Sequence, residues 1–194
     1  MKFYDIFNGD ADGICALHQL RLEQPREAVL VTGVKRDTQL VARVDAQVGD
    51  ELTVLDISLR SNIRAVQQAL ERGARIQYFD HHAAGEIPQH PAFEAHIDLA
   101  PDVCTSLLVD QYLAGKHRLW AVVAAFGDNL VESAVRAAQP LQLDHLELAR
   151  LHELGEAINY NAYGETVEDL HYPPADLYRV IAPYQDPRHF IFDE

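Results

Sequence analysis

The sequence predicts an α/β fold, in which a doubly wound, mainly parallel five-stranded sheet is flanked by helices and followed by a helical C-terminal extension. Short apolar and β-branched runs alternate with segments of helical period over about the first hundred residues, and this alternation is typical of parallel sheets with helical crossovers. The run ELTVLDI is apolar enough for a strand that is buried on both faces. Beyond about residue 100 the apolar periodicity becomes helical.

Each element follows from its local pattern. Five segments predict strands, namely KFYDIF (2–7), EAVLVTGV (27–34), ELTVLDI (51–57), ARIQYFD (74–80) and EAHIDL (94–99). Between them, the segments with helical character are GICALHQLRLEQ (13–24), TQLVARVDAQ (38–47) and SNIRAVQQALERG (61–73). The last of these helices can be capped by Ser61 or Asn62 and ended by Gly73.

The second half of the chain predicts a helical extension. Three segments are apolar on one face: DVCTSLLVDQYLAG (102–115), HRLWAVVAAFGDNLVESAVRAA (117–138) and LDHLELARLHELGEAI (143–158). HYPPADLYRVIAPYQDP, at 171–187, is rich in proline and tyrosine and predicts a linker or a packed tail. We therefore expect an α/β domain over 1–135, then a helical connector and a Pro/Tyr-rich tail over 136–194, without a complete second domain.

The charge balance restricts the class of partner. The chain has 16 basic and 30 acidic residues, a net charge of −14, and such a surface repels long polyanions such as duplex DNA. It does not exclude a small anion that is held through a bound metal ion. No run of about 18 apolar residues is present, so we expect no membrane span. The N-terminus turns acidic before a signal sequence can develop, so we expect a cytoplasmic protein.

The two cysteines, Cys15 and Cys104, stand among apolar residues. We expect buried thiols at both positions rather than a disulfide.

The segment FNGDADGICAL places Asn8, Asp10 and Asp12 at alternate positions before a glycine. An EF-hand calcium loop begins in the same way, but it needs a Glu at its twelfth position, where this chain has Gln19. It also needs a helix before the loop, whereas KFYDIF predicts a strand. We therefore favour a second interpretation, in which these residues follow a strand at the edge of a parallel sheet where ligands bind.

Further acidic and imidazole side chains end other strands and would meet at this edge. Asp56 ends ELTVLD, the triplet Asp80, His81 and His82 ends ARIQYFD, and Asp128 lies at the end or a break of an apolar helix. Singly, each has an ordinary explanation as a turn residue, a helix cap or a surface residue. Together, the carboxylates would repel one another and take up protons unless a cation balanced them. Oxygen ligands with one imidazole suit Mg²⁺ or Mn²⁺, and the imidazole favours Mn²⁺.

The motifs DADG, LDIS, FDHH and FGDN, in this order and spacing, resemble the four motifs of the DHH phosphoesterase superfamily. Its members include single-strand-specific exonucleases, oligoribonuclease/adenosine-bisphosphate phosphatases, cyclic-dinucleotide phosphodiesterases, class II pyrophosphatases and exopolyphosphatases. The resemblance covers roughly residues 1–135 and implies that this segment is a catalytic domain.

Carried over to this chain, the resemblance implies a centre of two Mn²⁺ ions, with Mg²⁺ as the alternative. Asp10 would bind one ion and Asp12 the other, while Asp56 would bridge both. His81 and Asp128 would complete the second site. Two ions about 3.5–4 Å apart polarise phosphoryl oxygens and activate a shared water.

The resemblance implies two further roles and also shows two departures. Asp80 would orient the neighbouring histidines, and His82 would stabilise the charge of the substrate phosphate or protonate its leaving oxygen. Many members have His or Asp where this chain has Asn8, so we expect the ion on that side to bind loosely or to arrive with substrate. Most members also carry a Gly-rich, His-bearing second domain that selects the substrate, and we expect none in this chain.

Candidates for substrate contact are less specific. Arg60 follows LDIS, and Lys35 with Arg36 follows the second strand, so these side chains could reach a phosphate. Solvated charges at helix starts explain them equally well. The amides and tyrosines of NYNAY (159–163) could recognise bases, but we favour a packing role for this segment.

Three classes of function are compatible with these sequence patterns. The leading hypothesis is a phosphoesterase that acts on a nucleotide or a short single-stranded oligonucleotide, since polyphosphate fits the acidic surface less well. An aspartate-nucleophile phosphatase would use Asp10 as nucleophile and Asp12 as acid, but it normally has Thr or Val where this chain has Ile14, and it leaves the DHH triplet unexplained. The third class is a non-hydrolytic nucleotide-binding or regulatory module. An oligomer is compatible with all three.

Overall fold

The computed structural model describes residues 1–193. Five parallel strands form one sheet: β1 (Phe3–Phe7), β2 (Val29–Val31), β3 (Glu51–Leu55), β4 (Arg75–Asp80) and β5 (Phe93–Ile97). Their order across the sheet is β2-β1-β3-β4-β5. The helices of the described residues are α1 (Ala11–Glu23), α2 (Leu59–Glu71), α3 (Thr105–Tyr112), α4 (Arg118–Gly127), α5 (Val131–Ala138), α6 (His145–Asn161), α7 (Pro174–Ile181) and α8 (Pro187–Asp193). The predicted α/β fold class is confirmed.

The sheet is buried on both faces because its side chains alternate between two apolar clusters. On β1, Ile6 packs in the cluster that contains α2, whereas Phe7 packs in the cluster that contains α1 and α4. Val54 and Leu55 on β3 divide in the same way. This two-sided burial explains why the strands appear in the sequence as nearly continuous apolar runs.

The helical second half packs onto the same core. Helix α4 lies between α1 and α6, and a Cβ at Gly155 would lie 2.2 Å from the carbonyl oxygen of Val123. The close approach of α6 to α4 therefore requires glycine at this position. Leu151 and Ile158 of α6 join the cluster around α1. The domain boundary predicted at residue 135 stays a prediction.

The helix expected over 38–47 was wrong. Only a short 3₁₀ turn, Val41–Arg43, forms in that segment. The side chain of Asn62 bonds to the segment's backbone, since its Oδ1 accepts from Val41 N at 3.3 Å and its Nδ2 donates to Thr38 O at 2.6 Å. These bonds satisfy backbone groups that a helix would otherwise pair internally.

The start of α2 also differs from the prediction, whereas its end agrees. The helix begins after Ser58, so Ser61 and Asn62 lie inside its first turns instead of capping it. Gly73 follows the helix with φ 86°, as expected for a C-terminal glycine.

Two further segments are shorter or more divided than predicted, and a third is resolved as one of its two predicted options. The strand expected over 27–34 covers only Val29–Val31, so the residues after it form a loop. The helix expected over 117–138 breaks after Gly127, where Asn129 has φ 59°. The Pro/Tyr-rich segment is a packed tail and contains α7, whose Leu177 and Ile181 are buried.

The structure bears on two expectations that came from the sequence. No helix within residues 1–193 is long and apolar enough to span a membrane. Cys15 and Cys104 are buried free thiols, as expected.

A buried ion pair links α1 to the sheet and gives a test of the fold. Arg21 Nε donates to Asp5 Oδ2 at 2.8 Å and Arg21 Nη2 donates to Thr53 Oγ1 at 3.0 Å, and the charged side chains are only 6% and 2% exposed. We expect Asp5→Ala to lower the free energy of unfolding by about 3–5 kcal/mol, because it leaves the guanidinium charge buried without its partner.

Chemical denaturation measures this loss, and the exposed pair Arg179–Asp176 on α7 is the matched control. Asp176→Ala should change the free energy of unfolding by less than about 1 kcal/mol. Equal losses in the two variants would contradict the role assigned to the buried pair.

Candidate metal centre

The predicted site residues come together at one edge of the sheet. β1, β3 and β4 are parallel, so their carboxyl ends meet at the same edge. The order β2-β1-β3 places β1 at the point where the chain switches direction across the sheet, and ligands bind at such points in open α/β sheets. Asp10 follows β1, Asp56 follows β3 and Asp80 ends β4, while Asp128 reaches the same place from the end of α4.

Asp10 caps the first helix. Its Oδ1 accepts hydrogen bonds from the backbone N–H groups of Asp12 at 3.0 Å and Gly13 at 3.1 Å. Its Oδ2 lies 2.6 Å from Lys35 Nζ. Because a strand precedes this segment and a helix begins at Ala11, the EF-hand interpretation is excluded.

Asp12 is buried against the start of α3. Its two carboxylate oxygens accept hydrogen bonds from the backbone N–H groups of Thr105 and Ser106, each at 2.7 Å. The free N–H groups at a helix N-terminus stabilise negative charge. Asp12 Oδ2 also lies 3.8 Å from His81 Nε2. The carboxylate therefore has a defined orientation next to the imidazole.

Asp56 is buried and has the left-handed backbone conformation, with φ 59°. Aspartate tolerates this conformation better than β-branched residues do. Asp56 Oδ1 accepts a hydrogen bond from Thr105 Oγ1 at 3.2 Å. The turn directly after β3 thus places this carboxylate against the start of α3, between Asp12 and the histidines.

His81 is the centre of the cluster. Its Nε2 lies 3.5 Å from Asp56 Oδ1, 3.7 Å from Asp128 Oδ2 and 3.8 Å from Asp12 Oδ2. The ligand atoms of Asp12, His81 and Asp128 lie within 4.8 Å of one another, as do those of Asp56, His81 and His82. Both groups have a spacing that could hold a metal ion.

The second histidine is held by the aspartate at the end of β4. Asp80 is fully buried and its Oδ1 bonds to His82 Nδ1 at 2.8 Å. This hydrogen bond raises the pKa of His82. His82 lines a cavity of about 100 Å³ together with Asp10, Asp56 and Asp128. Asp80 therefore contacts one of the two histidines, and its positioning role stays a prediction.

The crowded carboxylates make a cation favourable at this edge. Burial raises the pKa of Asp56, and the nearby charges of Asp12 and Asp10 raise it further. The same causes raise the pKa of Asp128 to about 6. Carboxylate oxygens with imidazole nitrogen are ligands that suit Mn²⁺ and Mg²⁺. The residues therefore fit a divalent cation, and the number of ions stays a prediction.

Lys35 supplies a positive charge within the cluster. Its ammonium contacts Asp10 and lies 3.6 Å from Asp128 Oδ1. Burial alone would lower the pKa of Lys35, but the two carboxylates outweigh burial and raise it. Lys35 therefore carries its charge at neutral pH.

Asn8 is buried behind this lysine. Its Nδ2 donates to the backbone carbonyl of Lys35 at 3.1 Å, and its Oδ1 accepts from the backbone N–H of Asp10 at 3.2 Å. Both ends of the amide therefore bond to the backbone. The role of Asn8 as a metal ligand, predicted from its position, stays a prediction.

The two predicted substrate arginines are exposed. Arg36 bonds to the carbonyl oxygen of Gly164 at 3.2 Å and borders a groove of about 420 Å³ that Lys35 and Tyr163 also line. Arg60 lies at the start of α2, close to Gly85. Their contact with substrate stays a prediction.

The packing role expected for 159–163 was wrong for its tyrosines. Tyr160 and Tyr163 are 69% and 63% exposed. Asn161 is buried and does pack, since its side chain bonds to the backbone of Tyr172. Asn159 bonds to Lys35 Nζ at 2.9 Å, so this segment borders the cluster.

Thr105 and Ser106 also belong to the site, although no sequence motif includes them. These residues hold two of the carboxylates, and the only signal for them was a pair of small hydroxyl residues at the start of a helix.

A wider groove of about 660 Å³ lies at the opposite edge, where Arg26 pairs with Glu51 at 3.2 Å. We place the candidate site at the carboxyl edge, because the clustered carboxylates and imidazoles lie there.

The raised pKa of Asp128 predicts how pH changes the effect of metal. The folded-state value of about 6 exceeds the usual 3.8, so the metal-free protein loses stability as pH rises between these values. A divalent ion bound to the carboxylates removes this loss. We therefore expect Mn²⁺ to raise the melting temperature more at about pH 7.5 than at about pH 5.

Differential scanning fluorimetry with and without Mn²⁺ measures both shifts. Asp128→Asn, which cannot titrate, should reduce the difference between the two pH values. An equal stabilisation of the unaltered protein at both pH values would argue against a metal at these carboxylates.

Comparison with known proteins shows a similarity of fold. No protein-family model matches the chain, and no curated protein matches it in sequence. The structure of the exonuclease RecJ bound to manganese aligns with 99% of this chain and 60% of its own, with a TM-score of 0.59 and 13% identity. The chain thus spans about 60% of the length of that protein.

Two further structures align with TM-scores of 0.46 and 14% identity. RecJ in complex with Mn²⁺ from Thermus thermophilus aligns over 92% of this chain and 34% of its own. An uncharacterized protein from Helicobacter pylori aligns over 97% and 64%. By its fold, the chain resembles the exonuclease RecJ over nearly its whole length.

Proposed function

We propose that this chain is a divalent-metal-dependent phosphoesterase that hydrolyses a phosphate ester or phosphodiester. The observation that carries the proposal is the convergence of Asp12, Asp56, Asp128 and His81 at the carboxyl edge of the sheet. A divalent ion at such a site polarises phosphoryl oxygens and lowers the pKa of water. The likeness in fold to an exonuclease bound to manganese supports the proposal.

The chain's own residues have distinct roles in this proposal. Asp12 and Asp56 present carboxylates whose orientation is set by Thr105 and its neighbour at the start of α3. His82 bonds to Asp80 through Nδ1, which leaves Nε2 as the nitrogen that meets the substrate. Because this bond raises the pKa of His82, it favours the imidazolium form, whose Nε2–H can be donated to the leaving oxygen.

Manganese is the ion that we propose, with magnesium as the alternative. His81 supplies an imidazole among carboxylate oxygens, and nitrogen ligands favour Mn²⁺ over Mg²⁺.

The proposed substrate is a nucleotide or a short single-stranded oligonucleotide. The exposed rings of Tyr160 and Tyr163 give bases a surface on which to stack, and Lys35 Nζ lies 5.7 Å from the centre of the Tyr163 ring. This stacking surface therefore adjoins the carboxylate cluster. The net charge of −14 disfavours a long duplex.

Hydrolysis of a bis-aryl phosphate in the presence of Mn²⁺ tests the proposal. We expect Asp56→Ala and His81→Ala each to lower kcat/KM by at least about 100-fold, since even residues that only support metal ligands change activity by about 10–100-fold. His90→Ala alters an exposed histidine outside the cluster and should leave the rate unchanged.

An Asp56→Ala variant with full activity would rule out the proposed centre. Nucleotide binding without any hydrolysis would instead favour the regulatory-module alternative.

The proposed stacking surface of Tyr160 and Tyr163 can be tested by comparing an ordinary oligonucleotide with one that lacks its terminal bases. We expect Tyr163→Ala to raise KM for a short single-stranded oligonucleotide by about 5–150-fold, because stacking of one base contributes about 1–3 kcal/mol. The same variant should have an unchanged KM for an oligonucleotide whose terminal nucleotides are abasic.

Phe192→Ala removes an exposed ring on α8 and is the matched control. If Tyr163→Ala changed the KM of both substrates equally, base stacking at this tyrosine would be excluded.

A further inference from the structure

The ammonium of Lys35 lies among oxygen atoms that a metal ion on Asp10 would also need. Nζ is 2.6 Å from Asp10 Oδ2, 2.9 Å from Asn159 Oδ1 and 3.6 Å from Asp128 Oδ1. Three oxygen atoms, from the start of α1, the end of α4 and the last turn of α6, thus surround a single positive charge. This is the kind of oxygen environment that a metal ion would also occupy.

Lys35 is held in this position along its backbone as well as at its tip. Its backbone N–H donates to the carbonyl oxygen of Ala162 at 3.0 Å, and its own carbonyl accepts from Asn8 Nδ2. The loop that carries Lys35 approaches the loop after β1 so closely that a Cβ at Gly9 would lie 2.0 Å from the carbonyl oxygen of Gly33. The lysine is therefore fixed by packing and hydrogen bonds on several sides.

Both carboxylate oxygens of Asp10 already have partners within the protein. Oδ1 caps α1 through the N–H groups of Asp12 and Gly13, and Oδ2 contacts the ammonium. Mg²⁺ binds oxygen ligands at about 2.0–2.1 Å, so an ion of this size on Asp10 Oδ2 would lie within about 5 Å of the fixed ammonium of Lys35. The two cations would compete for one carboxylate.

On the other side of the cluster, no lysine or arginine within the described residues forms an ion pair with Asp12 or Asp56, and the imidazole of His82, 3.8 Å from Asp56, is bonded to Asp80. His81 Nε2 lies 3.5 Å from Asp56 Oδ1 and 3.8 Å from Asp12 Oδ2. Among residues 1–193, Lys35 makes no ion pair with any of these three residues. A divalent ion can therefore bind there while the lysine remains in place.

We propose that Lys35 is a resident cation that takes the place of one of the two metal ions, so that the centre binds a single divalent ion on the side of Asp12, Asp56 and His81. This inference rests on the proposed function and departs from the two ions predicted from the sequence. It also gives Asn8 and Asn159 a role, because both hold the lysine in place.

Metal stoichiometry tests the inference without any measurement of activity. The full chain, stripped with a chelator, is titrated with MnCl₂ by isothermal calorimetry, and bound Mn²⁺ is followed by electron paramagnetic resonance. We expect one ion per chain and the signal of an isolated Mn²⁺. Lys35→Met, which has a similar length without the charge, should bind two ions and give the signal of a spin-coupled pair.

Lys116→Met is the matched control, because it removes a lysine that pairs with Glu23 at the surface. This variant should bind one ion. Two ions in the unaltered chain, or a single ion in Lys35→Met, would overturn the inference. The titration of the unaltered chain is decisive even if Lys35→Met does not fold.

The failure of this inference and the failure of the proposed function give different results. Two bound ions together with Mn²⁺-dependent hydrolysis would exclude the role of Lys35 and retain the phosphoesterase. One bound ion without hydrolysis of any phosphate ester would retain the role of Lys35 and exclude the phosphoesterase.

Discussion

The repulsion between buried carboxylates at one edge of the sheet is the constraint on which the rest of this site depends. Asp10, Asp12 and Asp56 are almost inaccessible to solvent, and Asp128 lies beside them. Burial and the neighbouring like charges both favour protonation, and together they raise the pKa values of Asp56 and Asp128. The neighbouring hydrogen-bond donors and the ammonium of Lys35 offset this repulsion.

Two helix N-termini and one lysine supply most of the positive charge that stabilises these carboxylates. The first N–H groups of α1 bind Asp10, and those of α3 bind Asp12. Helix N-termini carry partial positive charge, so both carboxylates lie in favourable fields. Lys35 adds a full charge on the side of Asp10. Within the described residues, no lysine or arginine forms an ion pair on the side of Asp12, Asp56 and His81, and this is the side on which we propose that a divalent ion binds.

The scaffold adopts less common backbone conformations where it serves the cluster. Asp56 and Asn129 both have left-handed φ angles near 59°, and such angles recur at functional sites when the surrounding structure enforces them. The turn at Asp56 ends β3 against the start of α3. The break at Asn129 ends the helical run after Asp128, which leaves that carboxylate at a helix end facing the sheet edge.

The sequence by itself determined the fold class and the positions of the acidic strand ends, because apolar periodicity and strand-end residues are local patterns. It did not determine the segment at 38–47, since the bonds that keep it from forming a helix come from Asn62, on a distant part of the chain. The exposure of Tyr160 and Tyr163 was also beyond the sequence, because an irregular segment has no period that separates a buried face from an exposed one.

Only the tertiary structure decided what lies against Asp10. Lys35 is 25 residues away and Asn159 is 124 residues from Lys35, so no local motif records that an amide, an ammonium and a carboxylate meet. Such contacts depend on how the loops after β1 and β2 and the end of α6 pack together. The motifs identify the acidic residues of the cluster, whereas the packing of distant loops decides which of their charges are already neutralised by the protein.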